Sequence, residues 1–125
     1  HRLQAFGKTL SCIQLPTTLP TLDELLGRTV NGVVIDESNI ARTILKLTAS
    51  PRDHVFTLHA ELEGQKLAPI FEQLLEGWKA QGYDLASMAD YYQKVKNEPL
   101  PTYPVSWGEL PGRSGELIVQ PSSSQ

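Results

Sequence analysis

A short segment that ends in a histidine and a glutamate constrains this chain most. Residues 55–61 (VFTLHAE) are rich in β-branched and aromatic side chains, and they are apolar on both faces of an extended backbone. Strands of this kind lie in covered, parallel sheets, where functional groups collect at the carboxyl ends of the strands. The segment therefore predicts a buried strand that places His59 at a functional edge, with Thr57 and Glu61 on the same face.

Composition limits the classes of protein to which this chain can belong. Its 125 residues are enough for one domain with its own core, and 11 Lys and Arg stand against 14 Asp and Glu. This mildly acidic balance excludes a basic nucleic-acid surface, so no nucleic-acid partner is expected. The single cysteine, Cys12, rules out an internal disulfide. No apolar run approaches the roughly 18 residues of a membrane-spanning helix.

The first part of the chain predicts a strand and then a short helix. Residues 9–15 form an apolar, strand-like run that Pro16 stops. Thr21 and Glu24 match a capping box at a helix start, and Gly27 is well placed to end that helix. A turn is expected at residues 31–32 (Asn-Gly).

Two longer helices flank the segment that carries His59. Residues 37–48 predict a helix with Asp36 or Ser38 as its cap, and residues 68–81 predict another. The expected buried side chains of the two helices are Ile40, Ile44, Leu45 and Leu47 in the first, and Ile70, Phe71, Leu74, Leu75 and Trp78 in the second.

The remainder of the chain changes character. Residues 83–86 suggest a last short strand, and Ser87 caps a further helix. From residue 96 the chain is rich in proline, with one expected strand at residues 116–119. We therefore divide the chain into residues 1–95, the main α/β part, and residues 96–125, a Pro-rich C-terminal extension.

Strands that alternate with helices predict an α/β fold with parallel pairing. Three or four parallel strands would leave two unpaired edges, and parallel sheets this small are rare. A closed α/β barrel needs roughly 250 residues. We therefore expect the chain, which starts at His1 rather than at a methionine, to complete its sheet with an earlier part of the same polypeptide or with another chain.

His59 and Glu61 are the sharpest candidates for chemistry. A histidine at the end of a strand suits general acid work, although a structural histidine bonded to a carbonyl has the same signature. His54 and His59 are five residues apart and would point to opposite faces of a strand, so the chain predicts no metal site of its own. Cys12, alone in an apolar strand, is more typical of a core residue than of a nucleophile.

Two stretches together resemble a known family. Residues 14–28 (QLPTTLPTLDELLGR) and 56–64 (FTLHAELEG), in this order and spacing, are similar to the C-terminal part of the 4-deoxy-4-formamido-L-arabinose-phosphoundecaprenol deformylases, which are NodB-like polysaccharide deacetylases. The resemblance runs from about residue 9 to residue 92 and implies the C-terminal portion of a distorted (β/α) barrel with covering helices. It also implies a divalent metal whose ligands lie in the N-terminal half and not in this chain.

The resemblance implies roles for several residues. His59 aligns with the family's general acid, which protonates the departing amine, and we expect Thr57, Glu61, Thr17 and Thr18 to line the substrate pocket. Many relatives have a leucine where this chain has Thr57. The implied reaction is hydrolysis of the formamide on undecaprenyl-phosphate 4-deoxy-4-formamido-L-arabinose to formate and a free amine.

This amide hydrolase chemistry belongs to lipid A modification and to resistance against polymyxin and other cationic antimicrobial peptides. The implied partners are the missing N-terminal half of the barrel, the polyprenyl-phosphate sugar and the membrane surface. The implied location is peripheral, at the cytoplasmic face of the bacterial inner membrane. Two other interpretations stay open: a non-catalytic α/β binding or accessory module derived from the barrel, and an unrelated α/β domain whose histidine is structural.

Overall fold

The computed structural model describes residues 1–109 and 114–120. The chain divides into two compact units, one formed by Pro16–Ala86 and the other by His1–Leu15 with the described residues of Ser87–Gln125. The boundary predicted from the sequence is a different one. It separates a part related to the barrel, residues 1–95, from a Pro-rich extension, residues 96–125, and it stays a prediction.

The unit that contains both ends of the chain is built from short strands and one helix. Strand β1 (Arg2–Ala5) pairs antiparallel with β2 (Lys8–Ile13) and parallel with β5 (Thr102–Pro104), and β6 (Ser106–Glu109) forms an antiparallel pair with β7 (Glu116–Val119). Helix α4 (Met88–Val95) begins after Ser87, whose Oγ accepts the Asp90 N–H at 3.1 Å. The predicted strands at residues 9–15 and 116–119 and the Ser87 cap are confirmed, whereas β1, β5 and β6 were not predicted.

In the other unit, Pro16–Ala86, most of the regular structure is helical. It contains α1 (Leu22–Leu25), β3 (Thr29–Val30), β4 (Val33–Val34), α2 (Ile40–Leu47), a π-helical turn (Leu62–Lys66) and α3 (Ala68–Ala80). Thr21 donates its N–H to Glu24 Oε2 at 3.0 Å, so the predicted capping box begins α1. Asn31 and Gly32 have φ angles of 49° and 79°, and they form the tight turn of the β3–β4 hairpin.

The apolar core lies within Pro16–Ala86. All buried apolar side chains among the described residues belong to this unit: Leu19, Leu22, Leu25, Ile35, Ile40, Ala41, Ile44, Leu67, Ile70, Leu74 and Trp78. Helices α2 and α3 pack closely, because a Cβ on Gly77 would lie 2.5 Å from Cδ1 of Leu45. The predicted inward faces of both helices are confirmed except at Leu47, which is 51% exposed.

Helix α2 departs from the prediction at its first turn and at its end. It begins at Ile40 rather than at residue 37, because Asp36 Oδ1 accepts the Ser38 N–H and Asn39 Oδ1 accepts the Asp36 N–H, closing a turn outside the helix. Thr48 is buried in place of Leu47, because it follows Ile44 by four residues and therefore lies on the same side of the helix.

The two strands predicted in this unit are wrong. Residues 51–59 form neither helix nor strand. Thr18 donates its N–H to Val55 O at 2.9 Å, but Val55 donates to the Thr18 hydroxyl rather than to a carbonyl, so no ladder propagates. Residues 83–87 are irregular as well, and the Tyr83 hydroxyl donates to Thr48 O at 2.8 Å.

The fold class is therefore mixed α/β with small sheets. Among the described residues, one strand pair, β1 with β5, is parallel, and the other pairs are antiparallel. The prediction of an α/β chain is confirmed, but a sheet of parallel strands is not formed by the described residues. In the same residues, no helix combines the length and the apolar character that crossing a bilayer requires.

Candidate functional site

His59 lies at the junction between the extended segment and the π-helical turn. Its carbonyl oxygen accepts the N–H groups of Leu62 and Glu63, both at 3.0 Å. Its own N–H donates to Glu63 Oε2 at 2.7 Å. The backbone of His59 is therefore held on its donor side and on its acceptor side by the turn that follows it.

The imidazole ring of His59 faces the first turn of helix α1. Its Nδ1 lies 3.6 Å from Asp23 Oδ1, and 40% of the His59 side chain is exposed. The Nδ1 atom itself is shielded from solvent and has no hydrogen-bond partner within the described residues. The 40% exposure of the side chain therefore comes from atoms other than Nδ1.

Asp23 supplies a negative charge at this position. Hydrogen bonding with the Thr21 side chain, with smaller contributions from the backbone of α1 and the nearby His59, lowers the pKa of the Asp23 carboxyl below its usual 3.8. Asp23 is therefore ionised at neutral pH. Because its side chain is 51% exposed, solvent screens its attraction for His59, and the pair contributes little to stability.

Glu63 is the most deeply buried acidic side chain near His59. The residue is 2% exposed, and its Oε2 accepts the His59 N–H. Its Oε1 is also buried and lacks a hydrogen-bond partner among the described residues. A buried carboxyl group with one oxygen unpaired is costly, so this position is not explained by packing alone.

Thr18 lies beside the other histidine of the segment. Its hydroxyl is 3.1 Å from His54 Nδ1, and it also accepts the Val55 N–H at 2.8 Å. Burial, followed by the nearby positive charge of Arg52, lowers the pKa of His54 below 6.5, so His54 is neutral at neutral pH. Thr18 therefore ties the Pro16–Pro20 stretch to the start of the segment that carries His59.

The other predicted pocket residues are more loosely placed. Thr57 is half-buried, and Thr17 and Glu61 are exposed. The expectation that Glu61 shares a strand face with His59 is wrong, because the chain turns at Ala60 and enters the π-helical turn. In the part of the chain that the structure describes, no hydrogen bond joins Thr17, Thr57 or Glu61 to His59.

The described residues do not by themselves fit a metal ion. Within residues 1–109 and 114–120, no three His, Cys, Asp or Glu side chains converge to hold a cation. His59 and Asp23 provide two potential donors where structural and catalytic sites commonly use three or four. The arrangement suits proton transfer by a histidine that an adjacent carboxylate orients.

Comparison with known proteins relates this chain to one group of enzymes. It is 35% identical over 109 residues to a probable 4-deoxy-4-formamido-L-arabinose-phosphoundecaprenol deformylase of Shewanella sediminis, a match that covers 87% of this chain and 34% of that protein. A second probable deformylase of the same description, from Wigglesworthia glossinidia brevipalpis, is 29% identical over 116 residues, which are 89% of this chain and 37% of that protein. This chain is a distant homologue of these deformylases.

The homology to the deformylases is partial in extent. The chain spans about a third of the length of the curated deformylases that it matches. No family model matches the chain, and no solved structure matches it. The resemblance noted in the sequence is confirmed, whereas the roles of His59, Thr57, Glu61, Thr17 and Thr18 stay predictions.

Sequence reasoning missed two residues of the site. Asp23 lies in the first turn of α1, where acidic residues are common for reasons of helix stability alone, so its type and position were not informative. Glu63 follows His59 by four residues, and that spacing is the one signal that could have indicated a contact.

Proposed function

We propose that this chain is the C-terminal portion of a metal-dependent amide hydrolase that removes the formyl group from undecaprenyl-phosphate 4-deoxy-4-formamido-L-arabinose. The products are formate and the free amine of the sugar, as in lipid A modification. The observation that carries the proposal is the half-exposed ring of His59 facing Asp23, in a chain homologous to these deformylases.

His59 is the general acid of the proposed reaction. Hydrolysis of an amide expels an amine, which leaves poorly unless it receives a proton as the C–N bond breaks. With Nδ1 3.6 Å from Asp23 Oδ1, the other ring nitrogen, Nε2, would deliver that proton to the departing nitrogen. In this proposal the Asp23 carboxylate, which lies 3.6 Å from Nδ1, keeps the ring oriented.

The proposed fold of the whole enzyme is a distorted (β/α) barrel, of which this chain is a part. Support comes from the extended segment 51–59, in which Val55 exchanges hydrogen bonds with Thr18 but no strand ladder forms among the described residues. An N-terminal part of the polypeptide, or another chain, would add strands beside this segment and supply the metal ligands that the described residues lack.

The proposed substrate class follows from the names of the relatives. Thr17, Thr18, Thr57 and Glu61 would provide polar groups for the formamide and the sugar hydroxyls. The polyprenyl chain of such a substrate stays in the lipid bilayer. We therefore propose that the enzyme works peripherally, at the cytoplasmic face of the inner membrane.

Formate release tests the proposal directly. The 125-residue chain alone should bind no stoichiometric divalent metal and release no formate, whereas the longer polypeptide that includes the N-terminal part should do both. Metal content by mass spectrometry and formate by a coupled dehydrogenase assay give the two readouts. A longer polypeptide that binds metal and releases no formate would instead favour the non-catalytic module.

Asp23→Asn in the longer polypeptide tests the orientation of His59. The substitution keeps the shape of the side chain but removes the charge that faces Nδ1, so we expect kcat to fall about tenfold with little change in KM. The melting temperature should stay within about 2 °C, because exposed ion pairs contribute little to stability. Asp84→Asn, at an exposed position, is the matched control, and equal kcat values for the two variants would contradict the role of Asp23.

A further inference from the structure

The buried carboxyl group of Glu63 has no part in the chemistry described so far. Its Oε2 accepts the His59 N–H at 2.7 Å, and the Glu63 N–H donates back to the His59 carbonyl at 3.0 Å. The two residues thus exchange two hydrogen bonds across four positions. With the further hydrogen bond from the Leu62 N–H, both the N–H and the carbonyl of His59 are hydrogen-bonded to residues of the turn that follows.

Stability alone does not account for an acidic residue at this position. Glu63 is 2% exposed, and its Oε1 is buried without a partner in the described residues, an arrangement that costs free energy. An apolar side chain would fill the same space without that cost. The N–H of His59 would then lose its acceptor, and nothing else among the described contacts would hold it.

We infer that Glu63 is a positioning residue that aligns His59 for proton transfer through the hydrogen bond to the His59 backbone N–H. The inference rests on the proposed function of His59 as a general acid. Among the described contacts, Glu63 makes its side-chain hydrogen bond to the His59 backbone and not to a ring nitrogen, so it acts on the direction of the Cα–Cβ bond and hence on the reach of Nε2. A misplacement of about 1 Å can lower turnover about a hundredfold in such a step.

The proposed role requires a hydrogen-bond acceptor at position 63 and not a charge. Two substitutions of nearly equal size should therefore differ in their effects. Glu63→Gln keeps a carbonyl oxygen that can accept the His59 N–H, whereas Glu63→Leu removes it. In the longer polypeptide, we expect Glu63→Leu to lower kcat about 10- to 100-fold with KM within about threefold. Glu63→Gln should keep kcat within about threefold, and so should the control Glu72→Leu on the exposed side of α3.

Hydrogen exchange at the His59 amide provides a readout that does not depend on catalysis. Loss of the acceptor in Glu63→Leu should accelerate exchange of this amide at least tenfold, and Glu63→Gln should leave it within about threefold. If Glu63→Leu does not fold, Glu63→Asp, which is one methylene shorter, should show the same acceleration.

The two readouts separate the possible failures. Unchanged exchange at His59 in a folded Glu63→Leu protein overturns the inference, and so does a Glu63→Gln protein as impaired as Glu63→Leu. If the unsubstituted longer polypeptide releases no formate, the proposed function fails, but the exchange rates still decide whether Glu63 holds the backbone of His59.

Discussion

His59→Ala in the longer polypeptide is expected to lower kcat for the formamide substrate by about 10²- to 10⁴-fold, the contribution typical of a positioned general acid. Metal content and the melting temperature should change little, because the ring is half-exposed and the described residues form no metal site. Initial rates of formate release at saturating substrate measure the effect. Retention of full activity would rule out the acid role.

A change of leaving group distinguishes general acid catalysis from a general loss of activity. A formyl ester of 4-nitrophenol expels a stable anion that needs no proton, so His59→Ala should lower its hydrolysis less than about tenfold. Lys66→Ala, an exposed position in the same π-helical turn, should leave both activities within about twofold. Equal losses on the amide and the ester would indicate a role for His59 other than proton donation.

Leu74→Ala is expected to destabilise the chain by about 2–5 kcal/mol, which is the usual cost of truncating a fully buried leucine. Leu74 is completely buried near the middle of α3, within the core that this helix shares with α1 and α2. The substitution leaves a cavity that close-packed neighbours fill only in part. Urea unfolding followed by circular dichroism at 222 nm measures the change in the free energy of unfolding.

The adjacent residue in the helix provides the control for this prediction. Gln73 is exposed, so Gln73→Ala should change the free energy of unfolding by less than about 0.5 kcal/mol. A loss below about 1 kcal/mol in Leu74→Ala would mean that the core of residues 16–86 does not pack as described.

The helices of this chain could be predicted because their signals are local. Thr21 with Glu24, Ser87 with Asp90, and the positive φ of Gly27 and Gly82 mark helix ends through contacts within a few residues. The period of 3.6 residues likewise identified the buried side of α3. The same period misplaced one residue near the end of α2. The apolar Leu47 is exposed there, whereas the polar Thr48 is buried.

The short strands could not be predicted, since each depends on a distant partner. Strand β1 pairs with β5 about a hundred residues away, and nothing in the four residues Arg2–Ala5 indicates that partner. The converse error occurred at residues 55–59, where a composition typical of strands meets no partner strand among the described residues. Phe56 instead packs against Phe71 and Trp78.

The candidate site shows the same division. His59 follows from the type and position of a single residue, and its role stays a prediction. Asp23 could not be paired with His59 from the sequence, because 36 positions separate them and an acidic residue in a first helical turn is ordinary. Their approach depends on how α1 packs against the rest of Pro16–Ala86.

The amino-acid sequence by itself determined where α1 and α4 start, which side of α3 is apolar, and the resemblance to the deformylases, because all three are encoded in neighbouring residues or in their order. Only the tertiary structure decided that residues 55–59 remain outside a sheet, that Asp23 faces His59, and that Glu63 is buried beneath the His59 backbone. These features arise from contacts between distant segments, whose free energies depend on packing and burial rather than on local propensity.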